Sequence, residues 1–167
     1  MSADRVTRVT RESFRRLLPM VRPHPLPVLP TRTWTDAEWE RIQLGYRARS
    51  MDDKWDVLTE GDVVHLHQSW TGYAVYQATF APAEGGGREI ASALVETDPR
   101  RHRYSGYADT PEYHCVMLEL LLSTVLLGQE VPELRKRWLR LRTGTPGGRR
   151  APARAVEQGP VGARRAG

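Results

Sequence analysis

The sequence predicts an α+β protein in which an antiparallel meander of about four strands packs against helices. Apolar and β-branched residues alternate with polar ones in four runs, which are Trp55–Thr59, Val63–Trp70, Tyr73–Phe80 and Ile90–Val95. The breaks between these runs are too short for the crossover helix that parallel neighbours require, so we expect antiparallel pairing. Helical periods with capping residues precede and follow the meander.

Length and composition predict a single domain with a folded core. A chain of 167 residues has the usual size of one domain, and a hydrophobic fraction of 40% excludes a wholly disordered chain. We divide it into an N-terminal basic amphipathic helix (1–18), a proline-rich connector (19–33), the α+β core (34–142) and a tail rich in Arg, Gly, Pro and Ala (143–167). The tail has no apolar period, and we predict that it is disordered.

The N-terminal residues predict an amphipathic helix. At helical spacing, residues 5–18 separate into an apolar half that contains Val9 and Phe14 and a half filled by arginines. This pattern favours a helix docked on the core with its arginines in solvent, and the alternative is a basic arm for a membrane surface or nucleic acid. Five prolines from Pro19 to Pro30 then exclude a helix, so the connector should run extended.

The first helix of the core is predicted from its start signal. Thr35 followed by Glu38 forms a capping box, in which each side chain satisfies a free amide of the first turn. Trp39, Ile42 and Tyr46 then recur at helical spacing, so they form one stripe that should pack against the sheet.

Two more helices are predicted after the meander. Thr110 and Pro111 supply a helix start, and Gly128 supplies a stop, so the segment between them should be a buried helix. A further helix is predicted over Pro132–Arg142, with a stripe of apolar residues beside many arginines.

Cysteine content and hydropathy predict a cytoplasmic protein without a membrane span. The single cysteine, Cys115, cannot form an internal disulfide, and the N-terminus is arginine-rich where a secretory signal would be apolar. The longest apolar stretch, Val116–Leu127, is shorter than the ~20 residues that cross a bilayer. Of the net charge of +5, the tail carries +4, so the folded part is nearly neutral and charge alone does not indicate a nucleic-acid partner.

The residues with the most unusual chemistry lie between Met51 and Tyr76. In an alternating strand, His65, His67 and Ser69 project from one face, while Leu66 and Trp70 face the core. The stretch from Ser69 to Gly72 then predicts a turn, in which small hydroxyls and free amides can hold an anion.

Polar and aromatic side chains around this hairpin predict a ligand site. Lys54 and a neighbouring aspartate can orient a polar ligand against an aromatic wall formed by Trp55 or Tyr73, and arginine forks beside an aromatic ring suit phosphate or a stacked base. The candidate ligand-binding residues are Lys54, His65, His67, Ser69, Thr71, Tyr73, Arg101 and Arg103.

The sequence around the hairpin resembles a known pattern. The stretch Met51-Asp52-Asp53-Lys54-Trp55, spaced before His67-Gln68-Ser69-Trp70-Thr71-Gly72, is similar to the core of a family of small bacterial proteins of unknown activity. The resemblance implies an association with macrodomain or ADP-ribose-related proteins, which relatives of that family sometimes accompany. The resemblance covers a minor part of the chain, implies a nucleotide-derived ligand and transfers no catalytic residue.

We therefore expect a small binding module for a polar, phosphate-bearing, nucleotide-like ligand or for a partner protein. One alternative is a hydrolase for a nucleotide or ADP-ribosyl group that uses Asp52 or Asp53 as acid or base and His67 for proton transfer. A second alternative is nucleic-acid binding through the arginine-rich helix and tail. The sequence decides neither enzymatic activity nor oligomeric state.

No cofactor or metal site is predicted. A metal bound to His65 and His67 would need a third ligand, from Asp52, Asp53, His102 or His114, and the spacing requires none of them.

Overall fold

The structure is a computed structural model that describes residues 7–102 and 110–143. Within these residues it contains a five-stranded antiparallel sheet and three α-helices. The elements are β1 (Pro23–Pro25), α1 (Asp36–Leu44), β2 (Trp55–Glu60), β3 (Val63–Gln68), β4 (Ala74–Pro82), β5 (Arg88–Glu96), α2 (Pro111–Leu121) and α3 (Pro132–Thr143). The sheet has the order β1-β5-β4-β3-β2, so the predicted α+β class and antiparallel meander are confirmed.

The meander is built from short turns that the sequence marks with glycine. Gly61 joins β2 to β3 and Gly72 precedes β4, each with a positive φ that other residues rarely adopt. The additional strand, β1, lies in the proline-rich connector and pairs with β5 at the edge of the sheet. Prolines fit there because an edge strand can leave one side without hydrogen bonds.

One face of the sheet forms the hydrophobic core. Val57, Leu66, Tyr76 and Val95 are register partners across four strands, and all are buried. Against this face pack the apolar side chains of the helices, which include Trp39, Ile42, Leu118, Leu121 and Leu122. Burial of this apolar surface is the main stabilising term of the fold.

The helix signals act as predicted. The Thr35 hydroxyl accepts a hydrogen bond from the amide of Glu38 at 3.0 Å, and the Glu38 carboxylate accepts one from the amide of Thr35 at 2.9 Å. The second helix begins at Pro111 and continues past Leu121 as a π-helical turn over Leu122–Leu126. None of the described helices is both long enough and apolar enough to cross a membrane.

The predicted N-terminal helix is wrong for the residues that the structure describes. Residues 7–20, which we call the N-terminal segment, contain only a single 3₁₀ turn at Arg11–Ser13. The amide of Val9 donates to the carbonyl of Leu44 at 2.9 Å, and the amide of Leu18 donates to the carbonyl of Gly72 at 2.8 Å. These long-range backbone bonds need an extended chain, and they override the local helical period.

Some predictions lie outside the described residues. These are the first residues of the predicted N-terminal helix, Arg103, and the predicted disordered tail beyond Thr143.

Candidate anion-binding site

A groove of about 680 Å³ lies between the N-terminal segment and the loop that follows α1. The N-terminal segment contributes Arg15 and Arg16, and the loop contributes Arg47 and Arg49. The turn after β3 completes the groove with side chains that include Trp70. Four guanidinium groups therefore line one concave surface, although their carrier segments are about thirty residues apart in the chain.

Three of these arginines have no side-chain partner in the part of the chain that the structure describes. Arg15, Arg16 and Arg47 are exposed, and among the described residues none of them donates a side-chain hydrogen bond or forms an ion pair. The fourth, Arg49, donates to the phenol oxygen of Tyr46 at 3.4 Å. Arginine forks that are free in a concave site match the oxygens of phosphate or carboxylate groups.

Negative charge within the groove is small. Of the described residues that line it, Asp56 supplies the one carboxylate, and this carboxylate accepts a hydrogen bond from the amide of Ala48 at 2.8 Å. The lining of the groove therefore carries an excess of positive charge, which favours an anionic ligand.

Trp70 is exposed in the groove, so the prediction that it faces the core is wrong. Its side chain is 61% exposed, and its indole N–H donates to the carbonyl of Met51 at 3.1 Å. The ammonium of Lys54 lies 4.8 Å from the centre of its ring. The strand ends at Gln68, and beyond that residue the alternation of a strand no longer decides which way a side chain points.

The loop before β2 is tied to the turn after β3. The hydroxyl of Ser69 donates to the carbonyl of Asp53 at 2.6 Å, and the amide of Ser69 donates to the carbonyl of Lys54 at 2.9 Å. Ser69 itself lines the groove. Of the predicted ligand residues, the structure therefore places Ser69 in the groove and Lys54 beside it.

A second cavity of about 350 Å³ lies on the other side of this loop. Asp53, Lys54 and Trp55 line it together with Tyr46 and Arg49, so the predicted lysine and aspartate meet Trp55 as their aromatic wall rather than Tyr73. Arg49 lines both this cavity and the groove.

The two candidate catalytic aspartates have different surroundings. Asp53 accepts hydrogen bonds from the amide of Arg49 at 2.8 Å and from the hydroxyl of Tyr46 at 2.9 Å. These two bonds lower the pKa of Asp53, and the nearby Arg49 charge adds to the effect. Asp53 is thus held as an anion, whereas Asp52 is exposed and lines neither cavity.

The two histidines project from the same face of β3 as predicted, but they lie apart from the groove. Their ring centres are 6.5 Å apart, and they line a cavity of about 230 Å³ beneath the N-terminal segment. His67 is only 4% exposed and its Nδ1 lies 2.9 Å from the carbonyl oxygen of Gly72. Alternation explains why the two rings lie on one face, but it cannot reveal the N-terminal segment that covers them, and the ligand-binding role of the two histidines stays a prediction.

Thr71, Tyr73 and Arg101 do not line the groove either. The hydroxyl of Thr71 accepts from the amide of Tyr73 at 3.1 Å and donates to Gln68 at 3.2 Å, so it closes the turn. The guanidinium of Arg101 lies 4.4 Å from the centre of the Tyr73 ring. No group of three His, Cys, Asp or Glu residues within the described ranges is placed to hold a metal ion.

The groove arginines are absent from the sequence prediction. The helical period predicts that Arg15 and Arg16 face solvent or belong to a basic arm, but the helix that this period predicts does not form. Arg47 and Arg49 carried a usable signal, since they lie in the loop that leads into Met51-Asp52-Asp53-Lys54-Trp55.

Burial of the histidines predicts a loss of stability in mild acid. Desolvation lowers the pKa values of His65 and His67 below the ordinary value of about 6.5. The unfolded chain therefore takes up protons at a higher pH than the folded chain, and the free energy of unfolding should decrease as the pH falls below about 6.5. Denaturant titrations at pH ~7.5 and ~5.5 measure this decrease.

The matched variants for this prediction are His67→Gln and His24→Gln. The first removes a buried imidazole, so this variant should lose less stability between the two pH values than the unmodified protein. The second removes an exposed imidazole and should leave the decrease unchanged. Equal pH dependence of stability in all three proteins would contradict the assignment of this decrease to the buried histidines.

Comparison of the chain with protein-family models, curated proteins and solved structures finds no significant match in any of the three. The resemblance of the hairpin sequence to a bacterial family therefore stays a prediction.

Proposed function

We propose that the chain is a small cytoplasmic binding module whose groove takes a phosphate-bearing, nucleotide-like ligand. The observation that carries this proposal is that Arg15, Arg16 and Arg47, which have no side-chain partner within residues 7–102 and 110–143, lie in one groove with the exposed ring of Trp70. The volume of about 680 Å³ lies within the range of small-molecule sites.

Free arginines also occur elsewhere in the described residues, so the weight of this observation lies in the convergence of several of them on one groove. Arg11, Arg32 and Arg88 each lie within 3.1 Å of a carboxylate oxygen, whereas Arg135 and Arg140 on α3 have no such partner among the described residues. Arg15 and Arg47 are both exposed and line the same groove from different segments of the chain. An anion bound in the groove accepts charge-assisted hydrogen bonds from both.

Trp70 favours a nucleotide over a simple anion. An exposed indole next to basic side chains is a platform on which a base can stack, which contributes about 1–3 kcal/mol per base. Lys54 lies over the ring and adds a further positive charge beside the groove. A partner protein that presents a phosphate group would contact the same arginines. The first test therefore uses small nucleotides, which need only the groove.

The hydrolase alternative has less support. His67 lies in the covered cavity under the N-terminal segment, whereas Asp53 lies in the cavity beside Trp55. The Asp53 carboxylate is also engaged by Tyr46 and by the Arg49 amide, which leaves it poorly suited to donate a proton.

The test is calorimetric titration of the protein with AMP, ADP and ATP. A double variant, Arg15→Ala/Arg47→Ala, removes two charged donors, each worth about 1.5–3 kcal/mol. We expect its affinity for the best of these nucleotides to fall by about 100-fold or more. Both residues are exposed, so circular dichroism should show an unchanged fold.

The matched control is Arg135→Ala/Arg140→Ala on α3. These two arginines are also exposed and have no side-chain partner among the described residues, so the control removes the same charge. Its nucleotide affinity should equal that of the unmodified protein. If only the control loses binding, α3 is the binding surface and the nucleic-acid alternative replaces this proposal. If the unmodified protein binds none of the nucleotides, the proposal is wrong.

A further inference from the structure

We infer that the ligand of the groove carries a diphosphate group, which places it in the class of nucleoside diphosphates and their derivatives. This inference rests on the proposed function and specifies the ligand. It follows from the number of guanidinium groups in the groove, from their division between two walls, and from the single carboxylate that opposes them.

The number of arginines exceeds what one phosphate can use. A guanidinium fork binds two oxygens at a time, and a terminal phosphate offers three oxygens and a charge of about −1.5 to −2. Two forks therefore exhaust one phosphate. The groove has three free forks, from Arg15, Arg16 and Arg47, and a fourth arginine, Arg49, of which one N–H donates to the hydroxyl of Tyr46.

The division of the arginines supports two phosphate positions. Arg15 and Arg16 are neighbours on the N-terminal segment, and Arg47 and Arg49 lie on the loop after α1. Each wall can thus supply the forks for one phosphate. A diphosphate places two phosphates side by side in one ligand, so it can engage both walls together.

The charge of the residues that line the groove also favours a diphosphate ligand. Four arginines and one aspartate line the groove, although the Arg49 charge also acts on Asp53 in the neighbouring cavity, and Lys54 adds a further cation next to Trp70. A phosphate monoester leaves the groove positive, whereas a diphosphate carries about twice the charge and balances it more fully. The Asp56 carboxylate already accepts a hydrogen bond from the amide of Ala48. The arginines are therefore left to neutralise the phosphates of the ligand.

A ligand that bridges both walls should also hold the N-terminal segment in place. Two anchors fix the N-terminal segment to the sheet, one on each side of the groove-forming residues. Leu18 forms backbone hydrogen bonds with Gly72 and Ala74, and Arg11 forms an ion pair with Glu60. The residues between these anchors, Phe14 to Arg16, form the wall itself. Hydrogen exchange of their amides is therefore a readout of bridging that is independent of affinity.

The experiment compares matched pairs of ligands by calorimetry in the presence of a chelator. The pairs are inorganic phosphate with pyrophosphate, and AMP with ADP. We expect ADP to bind at least about tenfold more tightly than AMP, and pyrophosphate to exceed phosphate by a similar factor. ADP, but not AMP, should slow hydrogen exchange in residues 14–16.

Two variants test the two walls separately. Arg15→Ala/Arg16→Ala removes one wall and Arg47→Ala weakens the other, and each should bind ADP no more tightly than the unmodified protein binds AMP. The Arg135→Ala/Arg140→Ala control should keep the full preference for ADP.

The remaining outcomes overturn the inference in distinguishable ways. Equal affinities for AMP and ADP, both weakened by Arg47→Ala, would mean a monophosphate site and would leave the proposed function in place. A preference for ADP that survives in both wall variants would contradict the two-wall assignment. Tighter binding of an oligonucleotide without terminal phosphates than of ADP would identify a strand-binding groove. Absence of binding to all probes would remove the inference and the proposed function together.

Discussion

Replacing Glu96 by alanine should lower the free energy of unfolding by about 3 kcal/mol or more. The side chain of Glu96 is fully buried, and its carboxylate accepts hydrogen bonds from the amides of Val21 at 2.7 Å, Arg22 at 2.8 Å and Asp98 at 3.1 Å. Alanine leaves these donors without the acceptor that the buried Glu96 side chain supplies. Urea denaturation monitored by tryptophan fluorescence measures the loss.

Glu89→Ala is the matched control, because Glu89 lies on the same strand but is exposed. A surface change of this kind usually alters stability by less than about 0.5 kcal/mol. Glu96→Gln should fall between the two, since its amide keeps one acceptor and loses the charge. Equal stabilities of the Glu96→Ala and Glu89→Ala proteins would contradict the role of Glu96 as an anchor.

The same carboxylate makes the anchor sensitive to acid. Burial raises the pKa of Glu96, but the backbone donors of Val21, Arg22, Asp98 and Thr97 together lower it below its ordinary value. The stabilisation is therefore present above the unfolded value of about 4.3 and is lost as the pH falls through the lower, folded value. The difference between the unmodified protein and the Glu96→Ala variant should shrink accordingly in strong acid.

The parts of the fold that could be predicted are those set by local chemistry. The capping box of Thr35 and Glu38 fixes where α1 begins, and the glycines at 61 and 72 fix where the strands of the meander turn. Each of these signals acts over a few residues, so the sequence displays it directly.

The parts that could not be predicted depend on distant segments. Residues 7–20 have a helical period, yet they bond to Leu44, Thr59 and Gly72, and those partners become neighbours only after the sheet has formed. The short strand β1 is likewise defined by its pairing with β5 rather than by its own proline-rich sequence. Local propensity is a weak guide wherever tertiary hydrogen bonds decide the conformation.

The candidate site could not be predicted for the same reason, because distant segments form it. Alternation along β3 correctly gave the shared face of His65 and His67, but the groove brings Arg15 and Arg47 together from segments with no common local pattern. The one sequence feature that did point to the groove was the polar cluster around Lys54 and Ser69, which forms its edge. The positive charge that defines the site comes from residues outside that cluster.

Gly72→Ala should displace the N-terminal segment and damage the groove. Gly72 has a φ of +78°, and a Cβ there would lie 2.7 Å from the carbonyl oxygen of Arg16. The left-handed backbone alone costs an alanine about 1–2 kcal/mol. The collision with Arg16 adds to this cost, so we expect a total loss of about 3 kcal/mol in the free energy of unfolding. ADP affinity should fall at least about tenfold, because Arg16 and Arg15 move with the displaced backbone.

Gly61→Ala separates the collision from the backbone cost. Gly61 also has a left-handed conformation, with a φ of +60°, but a Cβ there meets no atom within 4 Å. This variant should lose only the conformational term and should bind ADP as the unmodified protein does. If Gly72→Ala destabilised the protein no more than Gly61→Ala and kept its ADP affinity, the N-terminal segment could not be a fixed wall of the groove. A larger loss of both stability and affinity in Gly72→Ala would instead show that the close packing of Arg16 on this turn holds the arginines in their binding positions.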